Sequence, residues 1–167
     1  TELLLDSYGI GELKLLMPAL VRLSQQSVEI QGSLEPMVEP LVLWISPPHI
    51  PYAPALEQAG MDMSRVLVVH SERRLDVLWA MEQALRSGAC AVLLAWLQAV
   101  DKRSMRRLQL AAEASGCWAV LFRPAKFIRD SSLAKLRIYL RPDSDTTIRL
   151  DIFKNLSGRP DTVFVDI

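Results

Sequence analysis

Short apolar runs alternate with amphipathic stretches through most of this chain, and that alternation restricts it to a largely parallel sheet covered by helices. The runs that read as strands are 2–5 (ELLL), 41–46 (LVLWIS), 65–69 (RVLVV), 91–96 (AVLLAW) and 118–122 (WAVLF). Between them the spacing predicts helices at 12–25, 52–59, 72–87 and 101–115. In the third, Leu75, Leu78, Met81 and Leu85 form one stripe that ends at Ser87-Gly88. The fourth has Asp101 as N-cap and turns Met105, Leu108 and Ala112 inward, leaving Lys102, Arg103, Arg106 and Arg107 toward solvent. After Pro124 the pattern changes to strict alternation, KLRIYLR at 135–141 and TIRLDIF at 147–153, joined by Pro142-Asp143-Ser144-Asp145. Such a pattern predicts an antiparallel hairpin over 135–153, with a closing strand at 162–166. Its inward face is Leu136, Ile138, Leu140, Ile148, Leu150 and Ile152; Lys135, Arg137, Tyr139, Arg141, Arg149, Asp151 and Phe153 are outward. Residues 26–40, with Gly32, Pro36 and Pro40, read as an exposed insertion in a single domain covering 1–167. The expected fold is therefore α/β: a mixed, mainly parallel sheet flanked by helices, with a C-terminal antiparallel hairpin.

Lysine plus arginine equal aspartate plus glutamate at 19 each, so no global field draws the chain to nucleic acid or an anionic membrane. The apolar runs fall well short of the roughly 20 residues that cross a bilayer. The chain begins directly on Glu2-Leu3-Leu4-Leu5 without a secretory pattern, so a cytoplasmic location is expected. Its first residue is Thr, which suggests that a preceding segment was trimmed. Cys90 and Cys117 each stand at the entry to a strand and read as buried free thiols, since two cysteines make no disulfide framework. His49 and His70 lack ligand spacing, and neither a metal nor another cofactor is expected.

A strand, a glycine-bearing turn and a helix open the chain as DSYGIGELKLLMPAL at 6–20, where a nucleotide-binding fold carries its P-loop. With ALRSGACAVLLAW at 84–96, WISPPH at 44–49 and the late hairpin, the order of pieces resembles the core of RecA recombinases. The nucleotide chemistry does not follow. A P-loop needs a lysine for the β and γ phosphates and a hydroxyl for magnesium, but Gly11 is followed by Glu12 and Leu13. The central strand ends in Trp96 instead of an aspartate, and Pro48 stands at the position of the water-activating glutamate. The P-loop is degenerate, and no enzymatic activity is expected.

Two P-loop-free relatives of RecA are similar to this chain, the ImuA proteins of inducible mutagenesis and the SulA inhibitors of cell division. GIGELKLLMPALVRLS at 9–24, SPPHIPYAPALEQAG at 46–60, LDVLWAMEQALRSGACAVLLAWL at 75–97 and LFRP at 121–124 resemble ImuA. The leucine-rich helix, the Ala-Leu-Arg-Ser-Gly turn and Trp96-Leu97 are shared with SulA. Continuation through the hairpin, LRIYLRPDSDTTIRLDIFKN at 136–155, places the chain with ImuA. That resemblance implies an SOS-induced accessory factor that binds ImuB, RecA or both in error-prone translesion synthesis, with a homodimer allowed. The alternative is a SulA-like inhibitor that binds FtsZ and blocks its polymerisation.

Four features compete as binding surfaces. Trp44, Trp79, Trp96 and Trp118 suit core packing better than a stacking platform for bases. Lys102, Arg103, Arg106 and Arg107 offer at most weak or indirect contact with DNA, or a partner contact. Arg137, Tyr139 and Phe153 combine residue types enriched at protein interfaces on the outward hairpin face. The turn from His49 to Tyr52, stiffened by Pro47, Pro48 and Pro51, follows the carboxyl end of a parallel strand, where such folds place their sites.

Overall fold

The computed structural model describes residues 1–26, 28–29 and 37–167. The chain runs β1 (Glu2–Leu5), α1 (Glu12–Ser24), β2 (Val28–Glu29), β3 (Met37–Val38), β4 (Leu41–Ile45), α2 (Ala53–Gln58) and β5 (Val66–Val69). It continues through α3 (Arg74–Ser87), β6 (Cys90–Trp96), α4 (Lys102–Ser115), β7 (Trp118–Pro124), β8 (Leu136–Pro142), β9 (Thr147–Asn155) and β10 (Asp161–Asp166). An eight-stranded sheet has the order β10-β9-β8-β1-β7-β6-β4-β5. The strands from β8 to β5 in this order pair in parallel, while β8, β9 and β10 pair antiparallel. The fold is a mixed α/β sheet, as the periodicities indicate. β2 and β3 form a separate two-stranded ladder. Most of the expected 26–40 insertion, residues 27 and 30–36, lies outside the described residues.

The two faces of the sheet carry different helices. On one face Leu3, Leu5, Trp44, Leu94 and Phe122 pack with Leu16 and Leu20 of α1 and Leu56 of α2. On the other, Leu43, Ile45, Leu93, Ala95 and Leu121 pack with Val77, Met81 and Leu85 of α3 and Met105 and Leu108 of α4. Every second residue of a central strand therefore enters one core and its neighbour the other, which is why these strands read as unbroken apolar runs. Trp44 and Trp96 are buried, and Trp96 stacks on Phe122 with ring centroids 4.5 Å apart.

Two sequence readings of α3 need correction. Leu75, placed on the core stripe, is 69% exposed, and Trp79 is 63% exposed. The buried set is Val77, Leu78, Met81, Glu82 and Leu85. Glu82 enters this set because Arg86 and Arg107 pair with its carboxylate between α3 and α4. A buried carboxylate with partners joins the apolar stripe, which keeps Leu78, Met81 and Leu85 and gains Val77 and Glu82 in place of Leu75.

The β1–α1 turn depends on glycine. Gly9 and Gly11 have φ of 83° and 105°, a region that residues with a Cβ avoid at a cost of about 1–2 kcal/mol. A Cβ on Gly11 would also overlap the δ-methyl of Ile167 and stand 2.9 Å from that of Ile148. Gly11→Ala is expected to lower stability by more than the about 1–2 kcal/mol of the backbone term, because the overlap adds to it. Gly88→Ala, also left-handed but with open space beside it, isolates the backbone cost. Urea unfolding of the two variants reads the difference.

Candidate protein-docking site

The turn from β1 into α1 holds one of the chain's own carboxylates. Glu12, at the start of α1, is buried, and both of its oxygens accept the Gly9 N–H, at 2.8 and 3.1 Å. The positive end of the helix dipole favours that placement. Half-burial, and then the charge of Glu12, raises the Tyr8 hydroxyl above its usual pKa. A polyphosphate entering here would meet a fixed negative charge.

At the carboxyl end of β4 the backbone is strained. Ser46 has φ of 49°, a conformation that costs a non-glycine residue about 1 kcal/mol or more. Its N–H donates to the Val69 carbonyl at 2.8 Å, which fixes the chain as it leaves the sheet. Pro47 is buried behind it, and the turn then projects Pro48, His49 and Ile50 into solvent. Ile50 is 86% and Tyr52 72% exposed, and Leu56 anchors the following short helix α2 in the core. A turn whose backbone is held at Ser46 and Pro47 loses less backbone entropy than a free loop when a partner covers these two side chains.

The expected hairpin surface is built differently. Arg137 is only 5% exposed and does not face solvent. Its Nε donates to Glu2 Oε2, and its Nη atoms donate to the carbonyls of Phe127, Ile128 and Asp130 at 3.0–3.2 Å. Arg123 approaches the other oxygen of Glu2 at 2.5 Å. The segment 127–130 covers this triad, so an outward position in the alternation is here a second buried face. Phe153 is half-buried with the Arg137 guanidinium 4.8 Å from its ring centroid. The ladder is irregular between Arg137 and Ile138, where Lys154 and Ile152 are the successive partners and Phe153 has none. Tyr139 donates to Asp6 Oδ2 at 2.5 Å; that bond raises the Tyr139 pKa. Arg137 and Phe153 thus meet, while Tyr139 belongs with Asp6 and Arg141.

The α4 cations do not make a single stripe. Arg107 is drawn to Glu82 on α3, and Arg106 donates to Gln109 on its own helix at 3.2 Å. Lys102 and Arg103 are exposed in the first turn, behind the Asp101 cap that accepts the Ser104 N–H at 2.9 Å. Among the described residues no cluster of three or more potential metal ligands occurs, and no helix is long and apolar enough to cross a membrane.

Against known families, residues 6–118 match the model of the cell division inhibitor SulA. The chain belongs to the SulA family. It is 27% identical over 128 residues to SulA of Serratia proteamaculans, covering 77% of this chain and 69% of that protein. With SulA of Edwardsiella piscicida it is 31% identical over 119 residues, covering 70% and 64%. The crystal structure of SulA from Pseudomonas aeruginosa superposes with a TM-score of 0.56 at 24% identity, over 74% of this chain and 96% of that one, a likeness of fold. These findings overturn the ImuA assignment, and the expected ImuB and RecA partners go with it. The hairpin that placed the chain with ImuA lies beyond residue 118, outside the matched segment, so it does not bear on that choice. The leucine-rich helix, the Ala-Leu-Arg-Ser-Gly turn and Trp96-Leu97 all lie inside it.

Burial of the triad makes a prediction. Arg137→Ala leaves Glu2 with one partner in a dry site and is expected to cost about 3–5 kcal/mol. Arg106→Ala on the exposed face of α4 should change stability by about 0.5 kcal/mol or less. Urea unfolding midpoints compare them, and similar small losses would mean that Arg137 is solvated.

Proposed function

We propose that this SulA-family chain is a non-catalytic, SOS-induced inhibitor of cell division, which acts in the cytosol by binding FtsZ and blocking its polymerisation. The family match over residues 6–118 carries this reading. The β1–α1 turn supports its non-catalytic part. We read that turn as a degenerate P-loop in a single RecA-like domain, with Glu12 occupying the position of the anion. Inhibition then follows from occupancy of a surface on FtsZ and needs no chemical step. A surface that serves the family's activity should lie within the matched segment. The Ser46–Tyr52 turn does, whereas Tyr139 and Phe153 do not. Ile50 and Tyr52 are therefore our choice of partner-binding anchors, and the hairpin a secondary one.

Purified protein is expected to arrest GTP-dependent FtsZ assembly, followed by light scattering or sedimentation, at roughly equimolar ratio. Ile50→Ala combined with Tyr52→Ala should leave thermal unfolding nearly unchanged and weaken the inhibition about tenfold or more, the scale of one modest hot spot. Normal FtsZ assembly in the presence of excess folded wild-type protein would overturn the function. Full inhibition by the double variant would overturn only the surface. Calorimetry with Mg-ATP is expected to give no saturable heat, and micromolar binding lost on changing Glu12 would contradict the non-catalytic reading.

A further inference from the structure

Helices α3 and α4 both end at a left-handed glycine, Gly88 and Gly116, and each chain end then turns directly into the next strand. Cys90 is the first residue of β6, and Cys117 immediately precedes β7. The two strands are parallel neighbours, with Val92 opposite Trp118, so equivalent turns bring both cysteines to the same end of the sheet. Their Sγ atoms lie 3.0 Å apart, and both residues are buried. Adjacent strands are about 4.8 Å apart, within the Cα separations of about 4.4–6.8 Å that a disulfide spans.

Two further features make the pair chemically usable. A cavity of about 620 Å³ opens at this end of the sheet, with Cys117 in its wall beside Met105 and Leu108 and with Glu113 and Lys135 also lining it. The remaining S–H can donate to a neighbouring thiolate. The Cys90 pKa is lowered by that hydrogen bond, against its burial, while the second proton, on Cys117, is held well above the usual thiol range. The pair therefore loses its first proton more readily than a lone buried thiol.

We propose that Cys90 and Cys117 form a dithiol site that closes to an intramolecular disulfide by exchange with a small-molecule disulfide. One cysteine thiolate attacks a sulfur of the small disulfide, forming a mixed disulfide and releasing one thiolate. The second cysteine, after losing its proton, attacks the protein sulfur of that mixed bond and releases the other thiolate. Two protein thiols are oxidised to one disulfide, one small disulfide is reduced to two thiols, and the two protons pass to solvent and the leaving thiolates. The new bond ties β6 to β7 across α4, and by constraining the unfolded chain it raises the thermal midpoint.

Folded, reduced protein is incubated with oxidised glutathione, and aliquots are quenched with acid for intact mass and peptide mapping. The expected product has lost two hydrogens, carries no glutathione, yields one Cys90–Cys117 cross-linked peptide and returns to the dithiol with a reductant. Its thermal midpoint is higher than that of the reduced form. Cys90→Ser or Cys117→Ser should instead retain one glutathione on the remaining thiol, since no second thiol displaces it. A stable glutathione adduct on the wild type, a disulfide between two chains, or two free thiols under conditions that oxidise the urea-unfolded chain would each overturn the proposal.

Discussion

The carboxylate of Glu2 is fully buried in a strand of four residues, all of them inaccessible to water. β1 lies between β7 and β8, and an unpaired charge there would cost several kcal/mol. Its partners come from those two neighbours: Arg123 near the end of β7 and Arg137 near the start of β8. Both arginines lie beyond residue 118, where the SulA family match ends. The C-terminal strands are thus bound into the same sheet as the family segment by a charge that needs them. The triad also restricts register. A one-residue slip of β8 would bring Leu136 or Ile138 to the position of Arg137 and leave Glu2 with Arg123 alone.

A similar economy governs the β1–α1 turn. Backbone N–H groups at a helix start attract an anion, and this chain provides one four residues after Tyr8, as Glu12. The arrangement is self-satisfied: a carboxylate fixed by Gly9, glycines in conformations that only they adopt cheaply, and Ile167 and Ile148 packed against Gly11. The start of α1 is thus closed from within by the chain's own carboxylate.

Most of the architecture was legible because period is a local property. The run AVLLAW and the alternation KLRIYLR each reported their strand to within a residue or two, and the hairpin appears where the turn residues put it. Alternation separates two faces of a strand but does not say what covers the second one. Arg137 was assigned to solvent for that reason, since segment 127–130 lies over it through irregular backbone with no period to read. Leu75 and Trp79 were drawn into the core by the same local logic, while Glu82, buried and paired with the exposed Arg107 of another helix, could be placed only by tertiary contact. The docking turn was partly visible in Pro47, Pro48 and Pro51; the strain at Ser46 was not, because a serine before proline carries no sign of a positive φ. The choice of family branch failed on an appended element: a hairpin outside the family segment adds to a fold without redefining it.

The sheet edges are further candidates for a protein contact, and their chemistry argues against them. β10 leaves one side of its backbone unpaired, but Asp161 and Asp166 stand exposed at its two ends, and an antiparallel copy of the strand would bring these like charges together. β5, at the opposite edge, is four residues long and exposes Leu67. A strand that short offers few backbone hydrogen bonds to an added chain. The Ser46–Tyr52 turn needs no such pairing. Its backbone is held at Ser46 by Val69 and behind by buried Pro47, and Leu56 fixes the helix that follows. Covering Ile50 and Tyr52 removes apolar surface from water, at about 25 cal/mol per Å², without first ordering the segment that carries them. The strain at Ser46 is borne by the fold, and what it secures is the position of two exposed side chains.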